Sequence, residues 1–340
     1  MTKQTIAKIA YYAKKLLILL ISVFVLSVLV FYMSRLAPGD PLVSYYGDRT
    51  EKMSQAEREQ AIERLGLDDP IYVQYECWIQ NALKGDFGIS YKYKQNVTEV
   101  IGERIGNTIL LGGMGFVLSF ALALALGLLC AWNEDRLIDR AICKIGTITS
   151  CIPEFWASLI LILIFSVTWK LLPSSGAYCV GHAEDLADRL QHLILPLTVI
   201  VASHLWYYAY MIRNKILEET RADYVLLGKS KGQSKTRIML CHCVRNIMPS
   251  YISLMAISVP HILGGTYIVE TVFSYPGIGT LTFESAKYHD YNLLMLLCLI
   301  TGLVVILFNI IGQIISERID PRMSLDANGF GNGGGEVSSI

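Results

Sequence analysis

The chain has 340 residues, with 29 basic and 29 acidic side chains and therefore no formal net charge; 53% of its residues are hydrophobic and only 17% charged. Soluble domains usually carry about a quarter charged residues, so the deficit points to lipid as the solvent for much of this chain. Without a basic excess, a nucleic-acid partner has no support.

Lys3, Lys8, Lys14 and Lys15 precede a first apolar run, Leu16–Met33. That run is longer than the apolar core of a signal peptide and no small-residue cleavage site follows, so it reads as a retained signal-anchor helix. Residues 34–106 follow, with nine basic and twelve acidic residues. Ser54 and Glu57 fit a capping box opening a helix that runs to about Leu65 and stops at Gly66. Asp69 and Pro70 read as an N-cap and a proline in the first helical position. That second helix carries Tyr72, Tyr75 and Trp78 and ends before Gly85. Such a segment is a small helical subdomain, either a lid packed on the membrane domain or a docking surface for a substrate-delivering partner; the residues leave both open.

Five more apolar runs reach the roughly 20 residues needed to cross a bilayer: Ile109–Trp132, Ile145–Leu172, Leu193–Met211, Tyr251–Phe273 and Leu293–Ile315. Six such runs exceed what one 340-residue globule could bury. The fold class expected is all-α: a polytopic membrane protein with six transmembrane helices. Arg136, Arg140 and Lys144 lie in the second connection, and the fourth, 213–246, has eight basic residues against three acidic. The third and fifth connections together hold only Arg189 and Lys287. By the positive-inside rule, both termini and the 213–246 loop are cytoplasmic, and residues 34–106 are extracytoplasmic. The glycine- and serine-rich tail reads as disordered over 323–340.

Ionisable groups at membrane depth are costly and usually face a cavity or a partner. Glu154, His204, His261 and Glu270 are therefore the candidates for a translocation path. Imidazole suits nickel, but His261 and Glu270 are nine residues apart and fall on opposite faces of a regular helix, unless Gly264-Gly265 distorts it. The eight cysteines show no disulfide framework. Cys77 and Cys179 could both face outward, where a bridge is conceivable, and Cys241-His242-Cys243 lacks standard zinc spacing. No metal site is expected.

The 213–246 loop is the most informative stretch. Its first half forms an amphipathic helix with Tyr224, Leu227 and Leu226 on one side, stopped by Gly232, suited to insertion into a groove of a soluble partner. Its motifs are Asp223-Tyr224-Val225, Lys231-Gly232, His242, Arg245-Asn246 and Pro249. They are joined by Ala37-Pro38-Gly39-Asp40-Pro41, Gly85-Asp86-Phe87-Gly88-Ile89-Ser90, Glu270-Thr271-Val272-Phe273, Tyr275-Pro276-Gly277-Ile278-Gly279, Asp290-Tyr291 and Asp320-Pro321-Arg322. In this order they resemble the ABC importer permeases of the peptide and nickel branch, from about residue 10 to 322, and the long outer segment resembles the first of the two paired permeases. Gly228 and Ser230 stand where that branch usually has alanine, and Leu226-Leu227-Gly228 replaces the Glu-Ala-Ala triplet for which the loop is named.

The resemblance implies a type I ABC importer transmembrane domain with a helical extracytoplasmic insertion: 1–33 for the amino end and first span, 34–106 for the insertion, 107–322 for a five-helix core. Its implied partners are a second permease, two ATP-binding subunits, an extracytoplasmic substrate-binding protein and membrane lipid. It implies that Asp223, Tyr224, Leu227, Lys231, Gly232 and Arg245 couple the chain to an ATPase. ATP and Mg would be held by the ATPase subunits, since this chain has no Gly-x-x-x-x-Gly-Lys-[Ser/Thr] loop, and no cofactor is expected here. Short peptides are the favoured cargo and nickel or a nickel chelate the alternative. An ion-coupled secondary transporter usually shows inverted repeats, which this sequence lacks, and no HExxH or GxSxG motif supports a membrane-embedded enzyme.

Overall fold

A computed structural model of the chain describes residues 3–36, 42, 46–65, 67–179, 181–182 and 184–319. The Ala37–Pro41 and Asp320–Arg322 motifs, the Gly66 stop and the 323–340 tail lie outside the described residues. Among the described residues, eleven helices frame the fold: α1 Lys3–Leu36, α2 Gln55–Leu65, α3 Ile71–Leu83, α4 Val97–Trp132, α5 Leu137–Ser150, α6 Glu154–Leu161, α7 Leu186–Thr220, α8 Asp223–Ser230, α9 Val244–Val272, α10 Ile278–Lys287 and α11 Tyr291–Ile319. Among the described residues the only β-pairing is an isolated bridge between Ile89 and Asn96.

Among the described residues, five helical stretches are long and apolar enough to cross a membrane: Ala10–Leu36, Val97–Trp132, Leu186–Thr220, Lys235–Val272 and Tyr291–Ile315. The expected third span is not one helix. It is broken at Cys151–Pro153 into α5 and α6, and the pair counts as a sixth span only when taken together. Pro153 supplies the cause, since proline has no amide to donate and disfavours helical geometry in the residue before it. Beyond α6 the chain continues as a π-helix over Ile162–Thr168. The observed helices also outrun the apolar windows, because helical hydrogen bonding continues where lipid ends.

Two compact units can be distinguished: residues 1–114, 154–199 and 264–307 in the first, and 115–153, 200–263 and 308–340 in the second. In the first, Val97, Val100 and Ile101 of α4, Leu281 of α10 and Leu293, Leu296 and Leu297 of α11 form one buried core. The segments around Ser90 and Asp290 meet beside it. The Ser90 hydroxyl donates to Oδ2 of the fully buried Asp290 at 2.5 Å, the Lys92 amide donates to the same oxygen, and Asn292 Nδ2 donates to the Ile89 carbonyl. Asp290 Oδ1 also accepts from the Leu293 amide, capping the start of α11. Gly88 is required here: its φ is +85°, and a Cβ would come within 3.0 Å of Asn292 Nδ2. Glu284 of α10 receives Lys92 Nζ at 2.6 Å and the Tyr93 hydroxyl. Burial pushes its carboxyl up, and these two donors more than offset that and hold it below the usual range.

The outer helices obey their sequence signals with one shift. Ser54 and Glu57 form the reciprocal capping box, amide to carboxylate at 2.8 Å and amide to hydroxyl at 3.3 Å. Asp69, however, is not the N-cap of α3. Pro70 holds that place with an extended ψ of 140°, and its carbonyl accepts from the Val73 and Gln74 amides, so the helix begins at Ile71. Tyr75 and Trp78 turn inward, with ring centroids 5.3 and 5.6 Å from Phe31 of α1, and the Tyr75 hydroxyl bonds Ser27. Those two residues act as packing; Tyr72 remains exposed.

In the second unit Phe120 of α4 stacks on Tyr208 of α7 at 4.5 Å, and Tyr251 of α9 meets it edge-on and donates to its carbonyl. Such pairs contribute about 0.5–1.5 kcal/mol each beyond buried area. Helices in lipid gain little from burying apolar surface against one another and rely on close approach at small residues. Gly127 of α4 provides this, since a Cβ there would lie 3.0 Å from the Ala209 carbonyl oxygen; Gly146 of α5 does the same beneath Trp206.

Candidate functional site

The segment between α7 and α9 folds as a small module of the second unit. After Thr220 the chain turns, Ala222 takes extended geometry with ψ of 151°, and α8 starts at Asp223. Gly232 ends the turn that follows α8: its φ of +72° is left-handed, and the Lys231, Gly232 and Gln233 amides donate back to the Leu227, Lys229 and Gly228 carbonyls. The chain then passes through Ser234, whose hydroxyl caps Arg237, into a π-helical lead-in to α9 over Ile238–Cys243.

The sides of α8 differ from the sequence expectation. Val225 is buried with Ile238 and Cys243, and Tyr224 packs against that cluster. Gly228 is buried too, and a Cβ there would lie 3.3 Å from the Ile238 side chain. Tyr224 therefore does not share an outer face with Leu227. Its hydroxyl donates to Glu219 Oε2, which also receives Asn246 Nδ2 at 3.2 Å. Burial and the Glu219 carboxylate push the phenol well above its usual range, so it remains a donor at neutral pH. The outer face presents Leu226 and Leu227, 62% and 54% exposed, flanked by exposed Asp223, Lys229 and Lys231. Arg245 is exposed at the start of α9. His242 Nε2 lies 3.1 Å from Gln233 Oε1, so the Cys-His-Cys triplet is divided between a buried Cys243, an exposed Cys241 and a histidine committed to the turn.

The module is tied to the α4–α5 connection of the same unit. Lys235 Nζ donates to the Trp132 carbonyl at 2.7 Å, and Arg221 pairs with Glu134 at 3.0 Å. Inward of these lies a two-pronged pair: Arg213 Nε and Nη2 of α7 donate to Oδ1 and Oδ2 of Asp139, which is 2% exposed and also accepts from the Asp135 amide. Arg213 edges a cavity of about 610 Å³ lined by Cys130, Cys143, Thr147, Ser150, Trp206 and Tyr210 among others.

The four path candidates divide two and two between the units. In the second unit, His204 keeps Nδ1 within 3.0 Å of the Ile200 carbonyl and stacks on Tyr208, whereas His261 is exposed. In the first, Glu154 opens α6 half-buried, and its carbonyl accepts from Ser158. Glu270 is fully buried and engaged: Oε1 accepts from the Thr108 hydroxyl at 2.6 Å, and Oε2 from the Gly279 and Thr280 amides at 2.7 and 3.3 Å. Thr108 in turn accepts from the Ile278 amide. Glu270 thus caps the start of α10, satisfying amides that would otherwise be stranded. The glycines of Tyr275–Gly279 follow from this. A Cβ on Gly277 would strike the Glu270 carboxylate, and one on Gly279 would lie 2.6 Å from the Tyr267 Cα.

This geometry predicts a non-additive pair. Glu270→Ala strands a buried hydroxyl and two part-buried amides and should cost about 3 kcal/mol, against about 1 kcal/mol for Glu270→Gln. Gly277→Ala should be destabilising alone, yet add little on Glu270→Ala, where the obstructing carboxylate is gone; Gly279→Ala should gain less relief, because the Tyr267 backbone still obstructs its Cβ. Thermal midpoints in detergent of the four single variants, and of Gly277→Ala and Gly279→Ala each combined with Glu270→Ala, test this, and simple additivity for Gly277 would refute it. Sequence inspection found Glu270 but not its partner, and it missed Glu219, Asp139 and Arg213. The spacing of Glu219 to Tyr224 was an available signal for the first of these.

Two family models match. The model for the binding-protein-dependent transport system inner membrane component covers residues 123–325, and its N-terminal companion covers 9–112. The chain is 33% identical to an oligopeptide transport system permease protein, AppB, of Bacillus subtilis, over 92% of this chain and 99% of that one. It is 31% identical to a probable peptide ABC transporter permease protein of Sinorhizobium fredii, over 92% of this chain and 98% of that one. Among solved structures it resembles the MetNI methionine ABC transporter in an inward-facing conformation, with a TM-score of 0.52 at 15% identity, over 65% of this chain and 97% of that chain. That likeness assigns the fold, a type I importer transmembrane domain. The chain is a multi-pass membrane protein that belongs to the family of binding-protein-dependent transport system inner membrane components, and it is the permease subunit of an ABC importer.

Proposed function

We propose that this permease imports short peptides, as one of two permeases driven by two ATP-binding subunits and supplied by an extracytoplasmic binding protein. The observation that carries the peptide assignment is the near full-length similarity to permeases named for oligopeptide and peptide transport. Both termini and α8 face the cytoplasm in this reading, by the excess of basic residues in 213–246. Residues 34–106 then lie outside and 107–322 form the membrane core. ATP is bound with Mg and hydrolysed in the partner subunits, and this chain contributes no cofactor.

The outer face of α8 seats an ATPase: Leu226 and Leu227 enter an apolar groove, Asp223, Lys231 and Arg245 lie at its edge, and Gly232 permits the turn. Tyr224 acts from behind, holding α8 to Glu219. His204 and Glu270 serve as hydrogen-bonded structural groups, leaving Glu154 and His261 as the ionisable candidates for the path. The assembled complex in vesicles should take up a labelled tri- or tetrapeptide only with ATP and the binding protein present. Uptake of nickel without peptide would move the assignment to metal import, and uptake without the ATPase subunits would overturn the coupling.

A further inference from the structure

The connection preceding α7 and the first turns of that helix gather a second chemistry. Cys179, Asp188 and His192 place one sulfur, one carboxylate oxygen and one ring nitrogen all within 4.8 Å of one another. Asp188 and His192 are an i, i+4 pair, so helix geometry puts them on one face. The Asp188 Oδ2 accepts from the Cys179 amide at 2.6 Å, which draws the loop onto the helix. His192 is buried, and its Nδ1 lies 2.9 Å from the Asp188 carbonyl oxygen and 3.7 Å from the carboxylate, contacts that fix the ring. The neighbouring Arg189 places its guanidinium over the Tyr178 ring at 5.4 Å. Cys179 is exposed and carries a free thiol, as does Cys77, so no bridge joins the two.

The spacing supports the same conclusion. Cys179-x-x-His182 followed by Asp188-x-x-x-His192 has the two-plus-two pattern, with short gaps inside each pair, that zinc sites use. The His182 amide donates to the Cys179 carbonyl at 2.9 Å, holding both in one turn.

We propose that Cys179, Asp188 and His192 bind a divalent transition ion of borderline softness, zinc foremost, with His182, on the same turn as Cys179, as the candidate for the fourth position. Sulfur, imidazole and carboxylate together favour zinc over magnesium or calcium, which demand oxygen. Thiolate and carboxylate neutralise the dication, and the thiol proton is released on binding. Tetrahedral bonds of zinc-like length set ligand atoms roughly 3.5 Å apart, so the cluster need contract by only about 1 Å, which the exposed Cys179 side chain can supply. The bound ion would clamp this loop to the start of α7.

The test uses the full chain in detergent with the other exposed cysteines, Cys77, Cys151 and Cys241, changed to serine. Zinc at micromolar concentration should slow maleimide labelling of Cys179 on the order of tenfold, and cadmium should give a thiolate charge-transfer band. Both signals should be lost in H192A and in D188N, the latter included because it removes a more exposed ligand with less risk to folding; gel filtration checks each. Unchanged labelling in the presence of zinc would overturn the proposal. Equal protection in well-folded D188N and H192A would do so too, since it would reduce the effect to zinc on a lone thiol.

Discussion

Leu227→Asp is expected to abolish ATP-driven uptake while leaving the permease folded and membrane-inserted. Leu227 is 54% exposed on α8, so its own unit loses little when it is replaced; exposed substitutions usually change stability by within about 0.5 kcal/mol. The proposed ATPase groove would have to bury the new carboxylate without a partner. An unpaired buried polar or charged group costs several kcal/mol, and about 1.4 kcal/mol is a factor of ten in affinity. Co-purification of the ATPase subunits should fall by roughly two orders of magnitude, with Leu227→Ala intermediate. Val225→Asp is the contrasting case. Val225 is 2% exposed against Ile238 and Cys243, so that variant should fail by unfolding the module and should appear in protease sensitivity as well as in uptake. If Leu227→Asp retained the ATPase subunits at wild-type yield, the outer face of α8 would not be their seat.

The contrast between those two leucine- and valine-directed changes marks where sequence reading reached its end. The spans were legible because a bilayer imposes a length of about 20 apolar residues that few soluble helices share. The break in the third was legible too, in Pro153, but an apolar window averages across a break of three residues. The capping box of Ser54 and Glu57 could be read because both partners lie within one turn. For α8 the pattern was ambiguous: eight residues make barely two turns, and an aromatic residue at 224 fits either face until its hydroxyl partner is known. That partner, Glu219, sits across the α7–α8 turn, and Asn246 joins it from 27 residues away. Glu270 shows the same limit. Its ionisable side chain at membrane depth was visible, and the glycines at 277 and 279 were visible, but Thr108 lies 162 residues away and nothing in the spacing names it. Long-range polar partners are chosen by the fold, and they decide whether a buried charge is a clamp or a path.

Asp139 and Arg213 allow that principle to be measured, because the two partners are unequally buried. Asp139 is 2% exposed, and the Arg213 side chain keeps 15% of its surface at the edge of the cavity. Removing the arginine leaves a carboxylate sealed in, with the Asp135 amide and the Cys143 thiol as its remaining donors. Breaking a buried pair in this way costs about 3–5 kcal/mol. Removing the aspartate leaves a guanidinium that can swing into the cavity and recover solvent, so Asp139→Ala should cost only about 1–3 kcal/mol. In the double variant no charge is stranded, and it should be more stable than Arg213→Ala alone. Thermal midpoints of the detergent-solubilised chain give the three values, and the coupling follows from the cycle. Equal single effects that add in the double variant would mean that both charges already see water. The pair would then be a surface contact, and α5 and α7 would have to be held together by the close approach at Gly146 and Trp206 instead.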